Sequence, residues 1–496
     1  MTSVWKYLVL FCVFIPVYRA LNSNDILIIV SYDAFRNEYF DRGVTNFTNE
    51  LRRNSTRSKY LRNIFPTKTF PNHHSIATGV YSDDHGVTGN EFYDFELEKS
   101  FNYSYEMFHY RSEIIPIWIL NEVSGGNSGC MMWPGSDYLY NGISCTYKQH
   151  FNMSENLHER VDQVMGWITH KTSPANLVML YVEDPDNHAH AYGPESQTIT
   201  NLVEKLDKMT EYLYKKIKEA NLENRVSVVH LSDHGMDSLQ LTNVVDLTKI
   251  IKHKVSYYGN TPVMQIVPEN PSELDDIYKN LKEASESTGK FKVYLNSDLP
   301  DRWHFHNKFR VGPITIVAEL KYGFHDMIAA AKWYEKAFNI TFNMTNKYGV
   351  HGYDNALESM HPIFFAYGKR IKTFNEVEPF DTVDLYYLFC EILGLPVPSY
   401  LKGNRDNVMG ILKADDDVRR MNRWVVLSAS IILSSMLVSV LMISMKIWRR
   451  NRSNIPTYLY EEDTTVLDDT KIHNTTSPTP TQSTPLATSS TRFNAF

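Results

Sequence analysis

Three short apolar, β-branched runs, and the residues that follow them, constrain this fold most. Ile26–Ser31 reads ILIIVS, Leu177–Val182 reads LVMLYV and Val226–Leu231 reads VSVVHL. Near-continuous apolar runs of this length are how strands covered on both faces of a parallel sheet look. Helical patterns lie between them. Glu155–His170 sets Leu157, Val161, Val164 and Ile168 on one stripe. Gln197–Glu219 does the same with Ile199, Leu202, Leu206, Met209, Leu213 and Ile217. Strands alternating with amphipathic helices predict an α/β fold: a doubly wound, mostly parallel central sheet carrying an inserted or capping subregion.

Each run leads into acidic or histidine residues. The first ends at Asp33, the second leads to Asp186-Asn187-His188-Ala189-His190, and the third gives Asp233-His234-Gly235. In open α/β sheets ligands bind outside the carboxyl ends of the strands. A lone Asp after a strand is usually a cap or turn former, but three strands delivering Asp or His to one edge is not what core packing produces. Carboxylates and neutral imidazoles without Cys suit a borderline cation such as Zn²⁺. Asp186 and His190, four residues apart, are close enough to share one ion. Of the 18 His, His351 is the best further ligand, because Gly349 and Gly352 give its loop freedom.

A nucleophile is suggested by Pro66-Thr67-Lys68-Thr69-Phe70-Pro71-Asn72-His73-His74. Pro71 suits an early helical position, which puts Thr69 at a helix N-terminus, where the dipole and free N–H groups favour an anion. Two readings of Thr69 stand here: nucleophile, or simple N-cap. Lys68 is placed to meet a distal phosphate, or else is merely solvated.

The ends of the chain look different from its middle. Residues 1–20 are expected to be a signal peptide, with an apolar run at 7–17 after Lys6 and Ala20 before the cleavage point. Residues 425–445 carry no charge and are long enough to span a bilayer, which takes about 20 residues. The expected order is therefore a signal peptide, an extracellular catalytic domain over 21–402, a polar stalk at 403–424, a transmembrane helix at 425–445 and a disordered cytoplasmic tail at 446–496. That is a type I single-pass protein of the plasma membrane. Sequons at Asn46, Asn54, Asn102, Asn152, Asn339 and Asn343 fit export and predict glycosylation. Cys130 and Cys145 are expected to pair as a disulfide in an exported body, and Cys390, in the apolar Leu385–Leu393 helix, is expected to pack as a buried thiol. The net charge of −7 excludes a polycationic nucleic-acid binder, so no polymeric nucleic acid is expected as partner. Nothing in the sequence specifies an oligomeric state.

These residues resemble those of the ecto-nucleotide pyrophosphatase/phosphodiesterases of the alkaline phosphatase superfamily. The matching stretches are Ser31–Arg36, Pro66–His73, Thr78–Tyr81, Met132–Asp137, Glu183–Gly193, Ser232–Met236 and His351–Asn355, in order over about residues 25–410. The resemblance is to short type I membrane members, and it implies an alkaline phosphatase-like fold with two Zn²⁺ ions per chain. Asp186, His190 and His351 would hold one; Asp33, Thr69, Asp233 and His234 would hold the other. Asn90 matches the position whose amide binds a phosphoryl oxygen beside the nucleophile. Phe70 matches an aromatic that contacts the nucleobase. Phe151 lies near the place of a base-stacking Tyr, and Tyr147 competes for that role. The Cys-x-Pro/Ala-x-Arg pattern of sulfatases is missing.

The implied activity is that of a hydrolase releasing nucleoside 5'-monophosphates from ATP, ADP, NAD or dinucleoside polyphosphates through a covalent threonyl intermediate. Thr-Phe-Pro-Asn-His resembles the nucleotide-cleaving members more than those cleaving choline or lysophospholipid diesters. The alternatives are a phosphodiesterase of that phospholipid type and a catalytically silent surface binding protein.

Overall fold

The computed structural model describes residues 25–414, 435, 439, 440 and 442–447. The expected signal peptide, the tail from residue 448 and most of the 425–445 run lie outside the described residues. Among the described residues no helix is long and apolar enough to cross a membrane.

The central sheet has eight strands, in the order Asn375–Val377, Thr56–Ser58, Phe364–Gly368, Val226–Leu231, Ile26–Tyr32, Leu177–Val182, Ser128–Met131 and Tyr147–Gln149. The three apolar runs are its central strands, paired in parallel, with Leu27 opposite Leu177 and Ile26 opposite Val226. They are buried along their whole length, which is why they carry no alternating pattern. Phe364–Gly368 runs antiparallel to both of its neighbours, so the sheet is mixed.

Neighbouring side chains on a strand point to opposite faces, and the first strand shows both. The Ser31 hydroxyl lies 2.9 Å from Nε2 of His73, in the Thr69–Thr78 helix on one face. Tyr32 Oη lies 2.8 Å from Thr210 Oγ1, in the Gln197–Glu219 helix on the other. Helices therefore cover the sheet on both sides.

The expected inserted subregion follows Asp233-His234. It contains a four-stranded antiparallel sheet in the order Val255–Asn260, Val263–Pro268, Ile314–Ala318, Phe291–Leu295, backed by its own apolar core around Ile266, Leu281 and Ile316. Asp237–Gln240 pairs antiparallel with Lys347–Val350, and this ribbon returns the chain to the site at His351.

One expectation is altered here. Residues 403–412, read as the start of a stalk, fold onto the body: Val408, Ile411 and Leu412 are buried, and Lys372 N–H donates to the Ile411 carbonyl at 2.9 Å. The large apolar residues there, spaced within polar sequence, drive that packing. The Cys130–Cys145 disulfide is formed, with a Cα–Cα separation of 6.2 Å, and Cys390 is a buried free thiol.

His230 sits mid-strand, fully buried and flat against Phe365. Burial pushes its imidazole pKa down to about 3, so it is neutral in the folded chain and gains a proton only on unfolding. A depressed folded value means stability present above about pH 6.5 and lost as pH falls toward 3, at up to about 1.4 kcal/mol per pH unit. Urea titrations at pH 7.0 and 5.5 should show this loss, and His230→Gln should make the pH slope shallower.

Candidate active site

The Pro66–His74 segment turns into the helix Thr69–Thr78. Asn72 holds that entry, accepting from Ile64 N–H at 2.9 Å and donating to the Lys68 carbonyl at 2.9 Å. Lys68 is the extended N-cap residue and Thr69 the first helical one; no side chain caps the helix. The Thr69 hydroxyl is thus not spent on capping. Its Oγ1 lies 3.3 Å from His234 Nε2, with the N-terminal helix dipole behind it.

The carboxyl ends of the three central strands bring the acidic residues to the same place. His234 Nε2 is 3.4 Å from Asp33 Oδ1 and 3.1 Å from Asp233 Oδ2. Asp186 lies at the start of the Asp186–Tyr192 helix, with Oδ2 3.3 Å from His190 Nε2 and Oδ1 3.5 Å from His351 Nε2. Two sets, Asp33/Asp233/His234 and Asp186/His234/His351, each have ligand atoms within 4.8 Å of one another. His234 belongs to both, and its ring stacks on His351 at 3.7 Å.

Each imidazole is oriented by its far nitrogen. Nδ1 of His190 donates to the Gly349 carbonyl at 2.9 Å, that of His234 to Gly235 at 2.9 Å, and that of His351 to Thr67 at 2.8 Å. A carbonyl only accepts, so Nδ1 carries the hydrogen and each Nε2 keeps a free lone pair. Meanwhile Asp33 Oδ1, Asp186 Oδ1 and Asp233 Oδ2 are buried with no hydrogen-bond partner. Buried polar atoms are normally satisfied. Orphaned carboxylate oxygens converging with free imidazole lone pairs are the donor set of a borderline divalent cation, so these residues fit zinc.

The charges agree. Burial, then repulsion from Asp233 and Asp186, pushes the Asp33 carboxyl well above the usual carboxylate range. Burial acts the same way on Asp186 and Asp233, but the neighbouring His190 and His351, and His234 and His73, outweigh it and hold both below their ordinary value.

The other predicted residues divide. Asn90 Oδ1 accepts from Phe70 N–H at 2.9 Å, fixing its amide at the helix start. The Phe70 ring meets Tyr103 at 5.3 Å. Tyr103 donates to Asp137, which is also bonded to His150, and the next residue, Phe151, is 51% exposed with its ring 6.3 Å from Tyr181. Phe70, Tyr103 and Phe151 therefore border one rim of the site. Tyr147 does not reach it. It pairs with Gly129, stacks on Trp167 and donates to the Ser173 carbonyl at 2.7 Å, before the strand whose carboxyl end bears the site. Lys68 is 8% exposed, and Nζ donates to Asn260 Oδ1 and the Thr261 carbonyl, both at 2.8 Å. Burial lowers its pKa to about 8 against the pull of Asp326, Asp186 and Glu91. Of the sequons, Asn46, Asn102, Asn152, Asn339 and Asn343 are exposed and Asn54 is half-buried.

Comparison with known proteins agrees with this geometry. The family model described as type I phosphodiesterase / nucleotide pyrophosphatase matches residues 27–354. The Xenopus laevis bis(5'-adenosyl)-triphosphatase enpp4 is 31% identical over 377 residues, covering 75% of this chain and 79% of that protein. Human ectonucleotide pyrophosphatase/phosphodiesterase family member 5 is 31% identical over 394 residues, 78% of each. The chain belongs to the type I phosphodiesterase / nucleotide pyrophosphatase family. Among solved structures, murine ectonucleotide pyrophosphatase/phosphodiesterase 5, an inactive threonine-to-alanine variant in complex with AMP, superposes with a TM-score of 0.70 at 31% identity. It covers 78% of this chain and 100% of its own.

For this member of the family, sequence reasoning missed Tyr181 and a role for His73. Tyr181 donates to Asp33 Oδ2 at 2.6 Å, leaving Oδ1 to face the site. The one signal was a hydroxyl in an otherwise aliphatic run. His73 Nδ1 lies 2.9 Å from the Thr69 carbonyl and 3.3 Å from Asp233 Oδ2. Partners of metal ligands typically carry 10- to 100-fold of metal affinity. Tyr181→Phe should therefore weaken retention of a divalent metal at this candidate site by about 10-fold or more, measured as metal content after dialysis against graded chelator.

Proposed function

We propose that this chain hydrolyses nucleotide phosphodiester and pyrophosphate bonds with Thr69 as nucleophile, releasing a nucleoside 5'-monophosphate. The observation that carries the reading is the convergence of three orphaned carboxylate oxygens with the Nε2 atoms of His190, His234 and His351, that of His234 lying 3.3 Å from Thr69 Oγ1. Membership in a hydrolase family supports it, as do a relative named a bis(5'-adenosyl)-triphosphatase and another solved with AMP.

Asp33, Thr69, Asp233 and His234 would hold one Zn²⁺ and Asp186, His190 and His351 the other. Zinc bound there supplies positive charge that lowers the pKa of the Thr69 hydroxyl and of a water. The ionised Thr69 oxygen attacks phosphorus in line. The bond to the leaving oxygen breaks, the leaving group departs with the electron pair, and a threonyl-nucleotide ester remains. Water then attacks the same phosphorus from the vacated side, and the Thr69–phosphorus bond breaks to release the monophosphate. The Asn90 amide and the helix N-terminus stabilise charge on the phosphoryl oxygens. Phe70 and Phe151 offer ring faces for a base. The expected export signal, the exposed sequons and the disulfide support action outside the cell, with residues 425–445 as anchor.

Thr69→Ala should lower kcat by at least about 10³-fold with an unchanged melting temperature. Zinc removal should abolish turnover and zinc return restore it, with metal content near two per chain. Faster release of p-nitrophenol from the p-nitrophenyl ester of phosphocholine than from that of thymidine 5'-monophosphate would overturn the nucleotide reading. Phe151→Ala should raise KM about 10-fold, as loss of one stacked base predicts, whereas Tyr147→Ala should leave KM within about twofold because its ring lies outside the site.

A further inference from the structure

We propose that Asn260, in the inserted sheet, is a positioning residue that sets Thr69 and Asn90 relative to each other; this rests on the phosphodiesterase reading above. Asn260 ends the strand Val255–Asn260, at the turn into Val263–Pro268. Its Oδ1 accepts from Lys68 Nζ at 2.8 Å, and its Nδ2 donates to Glu91 Oε1 at 3.2 Å. An uncharged side chain can join an ammonium to a carboxylate only if it carries an acceptor and a donor, as an amide does. The ammonium on one side fixes which end is oxygen, and the NH₂ then faces the carboxylate.

The placement of this bridge matters because of what its two ends adjoin. Lys68 is bonded to Thr69, and Glu91 to Asn90. Asn90 Oδ1 in turn accepts from Phe70 N–H at 2.9 Å. The connections close a ring: Thr69, Lys68, Asn260, Glu91, Asn90, Phe70 and back to Thr69.

The ring is stiff on the Lys68 side. The lysine stem passes Gly352 so closely that a Cβ there would lie 2.5 Å from Lys68 Cε. A buried ammonium is costly unless paired, so Lys68 holds the turn firmly. The turn is itself anchored. Thr261 donates to Asp326 through its N–H at 2.8 Å and its hydroxyl at 2.6 Å, and the same hydroxyl accepts from Phe324 N–H at 2.8 Å. The inserted sheet thus braces the two residues that face the phosphoryl group, without touching substrate. A shift of about 1 Å between such groups can cost about 100-fold in rate.

The test uses the full-length zinc-loaded protein and the p-nitrophenyl ester of thymidine 5'-monophosphate. It compares wild type, Asn260→Ala, Asn90→Ala, the double variant and Glu91→Ala, with melting temperature and zinc content measured for each. Asn260→Ala should lower kcat about 10-fold or more while KM stays within about twofold. Zinc content should hold, and there should be no further fall in the Asn90→Ala background. Glu91→Ala, on the surface, should lower kcat about threefold by loosening one limb; if Asn260→Ala does not fold, this variant decides. An unchanged kcat overturns the proposal. So does an equal fall with and without Asn90, or a loss that follows melting temperature or zinc content. A wild-type protein inactive on the ester overturns the phosphodiesterase reading and this inference with it.

Discussion

Three aspartates brought together out of water constrain this molecule more than any other feature. Asp33, Asp186 and Asp233 end or follow the central strands, and Asp33 and Asp233 present oxygens within 4.8 Å of each other. Two like charges at that distance repel by about 3–4 kcal/mol at an effective dielectric of about 20. One hydrogen bond, such as Tyr181 to Asp33, contributes about 1 kcal/mol net. Hydrogen bonding cannot hold such a cluster; positive charge or protonation must. The three imidazoles, with Nε2 lone pairs free, point to the first.

The scaffold around the cluster follows from that need. A parallel sheet covered on both faces can project residues from several strands to one edge without exposing backbone. The far atom is tied down in Asp33, His234, His190, His351 and Asp233, to Tyr181, to the Gly235, Gly349 and Thr67 carbonyls, and to Ala34 N–H respectively. The insertion is part of the same device. Its ribbon delivers His351, whose register is set by pairing Asp237 with Val350.

Much of this was legible in the residues because the chemistry rides on the fold signal. A buried strand is an unmistakable apolar run, and the residues that end it must lie at one edge. The less legible parts depend on contacts between distant segments. Tyr147 and Phe151 are both aromatics four residues apart, and only strand register puts one at the amino end and the other beside the site. Lys68 read as a surface cation because its partners, Asn260 and Thr261, lie about 190 residues away. The 403–412 segment read as a stalk because its polar majority hides a few apolar residues, Val408, Ile411 and Leu412, that are buried in the fold.

By itself, then, the sequence determined the central strands and the acidic and histidine residues at their ends, since burial pattern and residue chemistry are local properties. The tertiary structure alone decided that Thr69 is not a cap. It also decided that Lys68 is held internally by the insertion, at Asn260 and Thr261, and that His234 stands in both candidate metal clusters. The contacts of Lys68 and His234 join segments far apart in the chain, and such contacts exist only once the hydrophobic layers have packed.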